Sequence, residues 1–407
     1  MKKVMIIAYD VNPNLGSEAG VASLWLKIIT RYYQAFVITD EKHRNDLEEY
    51  NYGAARFFYI SQKDVLSRFY KKNRLYFSAY AIFIRKAWPL LIDLVRNHDF
   101  KLLHCLTPAG VYIYNDLYKL GLPMMIGPLG GGLNTPKGFQ SLFKSSLLKE
   151  RVRSLFYDRV NRNEKRLNYF HNAKKILIGT DYVRAHLPVE VQGRTELLFD
   201  VMVDTAKFTP AVKRSSEEVH ISYIARLDPQ KGPTLLLEAM RKISRKRNDI
   251  HLTMAGTGDS FNALQDYITE HEMHNTVKLT GRLSREEVIN LLQHSDIFCL
   301  PTLREPGGVA ILEAMSCGLP IITTDYGGPS FSVTDDCGIK IKPTNFSQYV
   351  DDLVQAILHL ADDRQLRLEM GAKSRQRAVD HFSPASFEEK VIALYSSISE
   401  IHNISNI

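Results

Sequence analysis

Short runs of β-branched and aliphatic residues alternate along the chain with longer stretches whose apolar positions recur every three or four residues. Runs at 3–9, 35–39, 57–60, 101–106, 123–126 and 175–178 read as buried strands in the first half, and 220–225, 250–255, 277–279, 296–300 and 320–323 in the second. Segments 233–245, 285–294 and 308–315 between them carry the helical period. Pro233 suits a first helical turn, and Gly318 suits the position just past a helix end. Strand and helix alternating at this spacing predict an α/β protein with parallel sheets covered on both faces. Eleven such strands are too many for one core in 407 residues, so two domains are expected. The segment 197–216, which lacks a clear period and contains Pro210, is the expected seam. The division is then 1–205, 206–383 and a final helix, 384–407, packing back on the first domain. Two doubly wound domains facing a central cleft bind ligands beyond the carboxyl ends of their strands, which directs attention to the loops after each strand.

Composition narrows the class. Hydrophobic residues are 45% and charged residues 24%, which excludes disorder and coiled coil. No apolar run approaches the roughly 20 residues that span a bilayer. The opening MKKVMIIAYD reads as a first strand instead of an export signal, because its apolar stretch soon meets Asp10. Cys105, Cys299, Cys317 and Cys337 have no metal or redox spacing and read as buried thiols of a reducing, cytoplasmic compartment.

The formal net charge of +7 is unevenly spread. Residues 136–175 hold 11 Lys/Arg against 3 Asp/Glu, interleaved with aromatic and aliphatic residues, and 66–88 hold six Lys/Arg and no acid. Such a mixture suits peripheral contact with an anionic membrane at its inner face, or a solvated helix face with core aromatics beneath. No nucleic-acid motif accompanies it, so nucleic acid is not an expected partner.

The loops after the second-half strands hold the candidate chemistry. RLDPQKG places Arg226 and Lys231 between a strand and a helix N-terminus, two cations suited to a diphosphate. AGTGD places Gly256 and Gly258 where backbone could approach a flat ligand, though the third glycine of a dinucleotide fingerprint is missing. In REPGGVAILEAMSCG, Glu305 precedes a helix and Glu313 follows eight residues later within it. Free amides of Gly307, Gly308 and Val309 are expected to direct the positive helix end at a ligand. An ionised carboxylate only accepts hydrogen bonds, so it suits paired sugar hydroxyls. Acceptors for a ribose and a hexose beside donors for a diphosphate describe a nucleoside-diphosphate-sugar.

These motifs resemble family 4 of the retaining glycosyltransferases, which have the GT-B fold. The family's GRxxxxKG, GxGP or GxGD, and EPFGxxxLEAMACGxPVV segments all have counterparts here in order, with Ala225 replacing the first glycine and Gly307 the aromatic after Glu305-Pro306. In the first half, YDVNPNLGSEAGVASLWL is similar to the opening glycine loop of the subgroup that reads GSExGxGW, and GPLGGG at 127–132 resembles a further loop of that subgroup. The resemblance implies that Arg226 and Lys231 hold the donor diphosphate, Glu305 the transferred sugar and Glu313 the ribose. It implies that Gly16 lets the backbone approach the donor phosphates. Glu18, His104, Gly130 and Gly131 fall on the acceptor side without a fixed role; the family's His-x-His is reduced to His104 here, and the PNGVD of the interdomain segment to DVMVD at 200–204.

The expected activity is hexose transfer, with retention, from a nucleoside-diphosphate-sugar to a glycan or lipid-linked acceptor in cell-surface polysaccharide synthesis. The chain has no Asp-x-Asp, so no metal and no cofactor is expected. Alternative readings on the same frame are a non-catalytic sugar-nucleotide-binding partner in an envelope-glycan complex and a nucleotide-sugar epimerase or hydrolase.

Overall fold

The computed structural model describes residues 1–15, 17–64, 69, 76–143, 160, 163–212 and 217–404. Its contacts divide into two compact units. Unit 1 comprises Met1–Gly132, Val152–Asp200 and Glu388–Ile407; unit 2 comprises Leu133–Arg151 and Val201–Phe387. The described part of 133–143 thus groups with the second half of the chain, through contacts such as Phe139 packing edge-on against Tyr349 at 5.6 Å.

Unit 1 is built on a sheet of β1 (Lys3–Ala8), β2 (Gln34–Asp40), β3 (Ala55–Ile60), β4 (Phe100–Thr107), β5 (Met124–Leu129), β6 (Ala173–Ile178) and β7 (Thr195–Leu197). The order is β3-β2-β1-β4-β5-β6-β7 and every pairing is parallel. The central strands are apolar almost throughout because helices cover both faces: Met5, Ile7, Phe36, Leu103, Ile126 and Ile176 all lie in one core. Helix α1 (Ser17–Tyr32) follows β1, and α2 (Tyr76–Asn97) precedes β4. In α2 the aromatics Tyr80 and Phe83 are buried while Arg85 and Lys86 are exposed. There the basic side chains face solvent over core rings. Phe139 is likewise core. The remainder of both basic stretches lies mostly outside the described residues.

Unit 2 repeats the plan with β8 (Val219–Ile224), β9 (Ile250–Ala255), β10 (Val277–Gly281), β11 (Ile297–Leu300), β12 (Ile321–Thr324) and β13 (Gly338–Ile341). The parallel order is β10-β9-β8-β11-β12-β13. Its helices include α3 (Pro233–Ser244), α4 (Arg285–Gln293), α5 (Val309–Ser316), α6 (Phe346–Asp362) and α7 (Arg364–Phe382); α8 (Pro384–Ile404) follows, and from Glu388 on it groups with unit 1. In α3, Leu236, Met240 and Ile243 recur at helical spacing on the buried face, and α6 packs against it. In both sheets the chain starts centrally, winds outward, then returns to the other side of its first strand. The strand order therefore reverses between β1 and β4 and between β8 and β11, and the loops after those strands spread apart into a crevice within each unit.

All four cysteines are buried, and none is in a disulfide among the described residues. Among the described residues, no helix is long and apolar enough to cross a membrane.

Candidate active site

Lys231 follows β8 and Glu305 follows β11, so the two flank the strand-order reversal of unit 2. Local chemistry brings their loops together. A single 3₁₀ turn, Pro229–Lys231, ends at Gly232, whose φ of 68° opens α3. A Cβ on Gly232 would stand 2.0 Å from the Pro301 carbonyl oxygen, so glycine alone allows the β11 loop this close. The Gln230 carbonyl accepts from the Leu303 amide at 2.8 Å and the Thr302 hydroxyl at 3.1 Å, stitching the two loops.

The Lys231 ammonium donates to Oε2 of Glu305, and each side chain is 14% exposed. Oε1 of Glu305 accepts the amides of Gly307 at 3.2 Å and Gly308 at 3.0 Å. This corrects the expectation of free amides at Gly307 and Gly308. A carboxylate two and three residues upstream satisfies them locally, as a helix N-terminus demands when no ligand does so. Gly308, with φ 78°, caps α5, which begins at Val309, itself half exposed.

Glu313 lies farther along α5 with its side chain 5% exposed. Oε1 accepts from Nη1 of Arg285 at 2.6 Å, and the Arg285 guanidinium stacks 4.4 Å over the Phe208 ring. Burial pushes the Glu313 carboxyl above the usual carboxylate range, and Arg285 acts against that rise. Arg226 is 67% exposed and pairs with Asp228 at 3.1 Å. The structure thus joins Lys231, Glu305, Gly307 and Gly308, and links Glu313 to Arg285 and Arg226 to Asp228.

Gly256 and Gly258 stand against the neighbouring loop. A Cβ on Gly256 (φ 146°) would lie 1.9 Å from the Ala225 carbonyl, and one on Gly258 2.7 Å from that of Leu227. The β9 loop needs glycine to brace the loop carrying Arg226. Arg285 went unnoticed in the sequence; the Ser284–Glu287 capping box that sets the start of α4 was its available signal. Gly327–Gly328 was also missed: the Gly328 amide donates to the Glu305 carbonyl at 2.8 Å.

In unit 1, Glu18 sits in the first turn of α1, and its carboxylate accepts the Ala109 amide at 2.6 Å across the β1–β4 reversal. Desolvation and the charge of Asp10 raise its pKa against that hydrogen bond. The same environment pushes Asp200 up to about 6, through desolvation first and then the charge of Glu18. Gly130 bridges to Gly110, and Gly131 adopts φ 86°. Gly16 lies outside the described residues. His104 is not a ligand contact. It is fully buried in β4, with Nε2 2.7 Å from the Gly127 carbonyl and Nδ1 2.7 Å from the Tyr395 hydroxyl of α8. A carbonyl only accepts, so Nε2 carries the proton and Nδ1 accepts from Tyr395. Among the described residues no three His, Cys, Asp or Glu side chains gather as a metal-binding group.

Residues 204–377, which hold Arg226, Lys231, Glu305 and Glu313, match the family described as "Glycosyl transferases group 1". The chain is similar to a GDP-mannose-dependent monoacylated alpha-(1-6)-phosphatidylinositol monomannoside mannosyltransferase of Corynebacterium glutamicum, 29% identical over 48% of this chain and 54% of that protein. It is also similar to a UDP-Gal:alpha-D-GlcNAc-diphosphoundecaprenol alpha-1,3-galactosyltransferase of Escherichia coli, 30% identical over 47% of this chain and 52% of that one. The chain spans about half the length, or less, of the curated relatives it matches. Among solved structures, Anabaena HepE in complex with UDP and glucose aligns with a TM-score of 0.58 at 16% identity, over 98% of this chain and 100% of that one. The apo lipopolysaccharide outer core galactosyltransferase WaaB aligns with a TM-score of 0.64 at 13% identity, over 99% and 100%. The two parallel α/β sheets and these neighbours define the GT-B fold.

Proposed function

We propose that the protein is a retaining glycosyltransferase of family 4, of the subgroup with an N-terminal GSExG loop, moving a hexose from a nucleoside-diphosphate-sugar to a glycan or lipid-linked acceptor. The observation that carries this reading is the Lys231–Glu305 pair at the strand-order reversal of a group 1 domain. Lys231 and Arg226 neutralise the departing diphosphate, Glu305 accepts hydroxyls of the transferred sugar, and Glu313 accepts those of the ribose. No side chain at this site stands out as a nucleophile, so the leaving phosphate takes the acceptor proton on the face it vacates, and catalysis rests on charges already in place. Two relatives whose names specify a lipid-borne saccharide acceptor, and a neighbour solved with UDP and glucose, support the substrate classes.

A thermal-shift panel of UDP-, GDP- and ADP-sugars tests the proposal. A cognate donor at a hundred times its Kd stabilises the folded protein by about 2.7 kcal/mol. Incubating that donor with lipid-linked and free glycans, followed by proton NMR of the product, reads the anomeric outcome. A panel with neither shift nor turnover overturns the proposal, and an inverted product overturns retention.

A further inference from the structure

We infer that Arg285 is a positioning residue for the nucleotide: it keeps Glu313 ionised and fixes which carboxylate oxygen faces the ligand. The inference rests on the reading of Glu313 as the ribose acceptor and adds a residue to that site. Glu313 is almost wholly buried on α5 yet must be ionised to accept two hydroxyl donors. Burial alone favours the protonated form, which would offer a donor where the ribose also offers donors. The group that opposes this is the Arg285 guanidinium, 2.6 Å from Oε1. Among the described residues only Oε1 is bonded, to Arg285, so one oxygen is held and Oε2 is left for a ligand.

Arg285 is itself held on two sides. It is the first residue of α4, fixed by the reciprocal capping box between Ser284 and Glu287. Its guanidinium lies over the Phe208 ring. The other elements packed on α5 bring no competing charge to Glu313. Nη1 of Arg375 on α7 bonds to the carbonyls of Ser316 and Phe208 and to the Ser316 hydroxyl, β11 contributes the Cys299 thiol, and β12 has no titratable side chain. Arg285 is 47% exposed at its side chain, so replacing it does not empty the core.

The test is calorimetric titration of the wild type, Arg285→Met, Arg285→Lys and Glu313→Gln with UDP, GDP and ADP, and with the 2′-deoxy form of whichever binds, between pH 6 and 8. Arg285→Met should weaken the ribonucleotide about tenfold. The loss should grow as pH falls, because Glu313 then protonates more readily, and the 2′-deoxy form should be affected far less. Arg285→Lys should restore part of the affinity. A purely structural role for Arg285 predicts a lower melting temperature with the ribose preference and pH profile unchanged, and that result overturns the inference. If Glu313→Gln leaves the preference for ribose over deoxyribose untouched, or no nucleotide binds the wild type, the reading of the site itself fails. If Glu313→Gln abolishes that preference while Arg285→Met keeps it, only the role of Arg285 falls.

Discussion

His104 allows a stability prediction to be worked from the structure. Its ring is sealed in unit 1 with one nitrogen donating to Gly127 and the other accepting from Tyr395. Burial pushes its pKa down from 6.5 to about 4, against a smaller opposite effect of the Gly127 hydrogen bond. In the unfolded chain the ring titrates normally. As pH falls below about 6.5 the unfolded state therefore takes up a proton that the folded state refuses. The stability His104 contributes is complete above pH 6.5 and is lost as pH drops toward 4. The full difference corresponds to about 3 kcal/mol, and about 2 kcal/mol is already gone at pH 5. Carboxylates titrate over the same range, so the informative quantity is a difference between two proteins. His104→Gln keeps an amide donor for Gly127 and a carbonyl acceptor for Tyr395 but cannot gain a proton. Both tryptophans, Trp25 and Trp88, lie in unit 1, and Trp25 packs edge-on against His104 at 5.2 Å. Urea unfolding followed by tryptophan fluorescence therefore reports on this unit. Between pH 8 and pH 5 the wild type should lose about 2 kcal/mol more than the variant. Parallel losses would refute the neutral, doubly bonded histidine.

Three further outcomes follow from the geometry. Gly256→Ala forces a Cβ to within 1.9 Å of the Ala225 carbonyl at φ 146°, and should destabilise unit 2 by more than about 2 kcal/mol in thermal unfolding; a melting temperature near wild type would show that the β9 loop shifts freely. Asp200 has its pKa pushed up to about 6, so the stability it contributes is present at low pH and is lost as pH rises through that value. Asp200→Asn should raise the unfolding free energy at pH 7.5, by about 3 kcal/mol at most, and much less at pH 4; equal effects at both would refute a destabilising desolvated charge. If the diphosphate is neutralised by Lys231 and Arg226 alone, transfer should persist in EDTA, and a loss that magnesium or manganese restores would overturn that assignment.

The parallel sheets were legible because buried strands such as 4–8 and 297–300 are unbroken apolar runs between helical patterns. Two of the four edge strands, β7 and β13, escaped for the opposite reason. β7 is only Thr-Glu-Leu and half buried, and β13 is four residues with Lys340 among them, too short for a period of two to stand out. β5 was cut short because Gly127-Pro128 reads as a turn, yet the strand runs through to Leu129. The types of residue at the site could be read from spacing, since Glu305 and Glu313 share one loop and helix. Their partners could not. Lys231 is 74 residues from Glu305 and Arg285 is 28 from Glu313, separations that only the strand order resolves. The glycines of AGTGD show the same limit. Their spacing revealed that backbone comes close, while the fold reveals that the approaching group is the neighbouring loop.

The pairing of Lys231 with Glu305 raises the question of whether the site is closed by its own salt bridge. Counting bonding capacity answers it. A carboxylate offers about four acceptor positions and an ammonium three donors. Glu305 uses three, on Lys231, Gly307 and Gly308, and Lys231 uses one. A sugar hydroxyl can therefore join Glu305, and phosphate oxygens can join Lys231, without breaking a bond already made. The bridge acts as a scaffold that fixes both groups before the ligand arrives, the condition under which a charge stabilises a transition state most. Arg226 differs: exposed and, among the described residues, tied only to Asp228 through its side chain, it must be ordered by the ligand. Lys231→Ala should therefore lower kcat by about 10²–10³ with a modest change in KM. Arg226→Ala should act mainly through KM. Steady-state kinetics at saturating acceptor separates the two, and the reverse pattern would mean that the scaffolded lysine is a structural pair and the mobile arginine carries the chemistry.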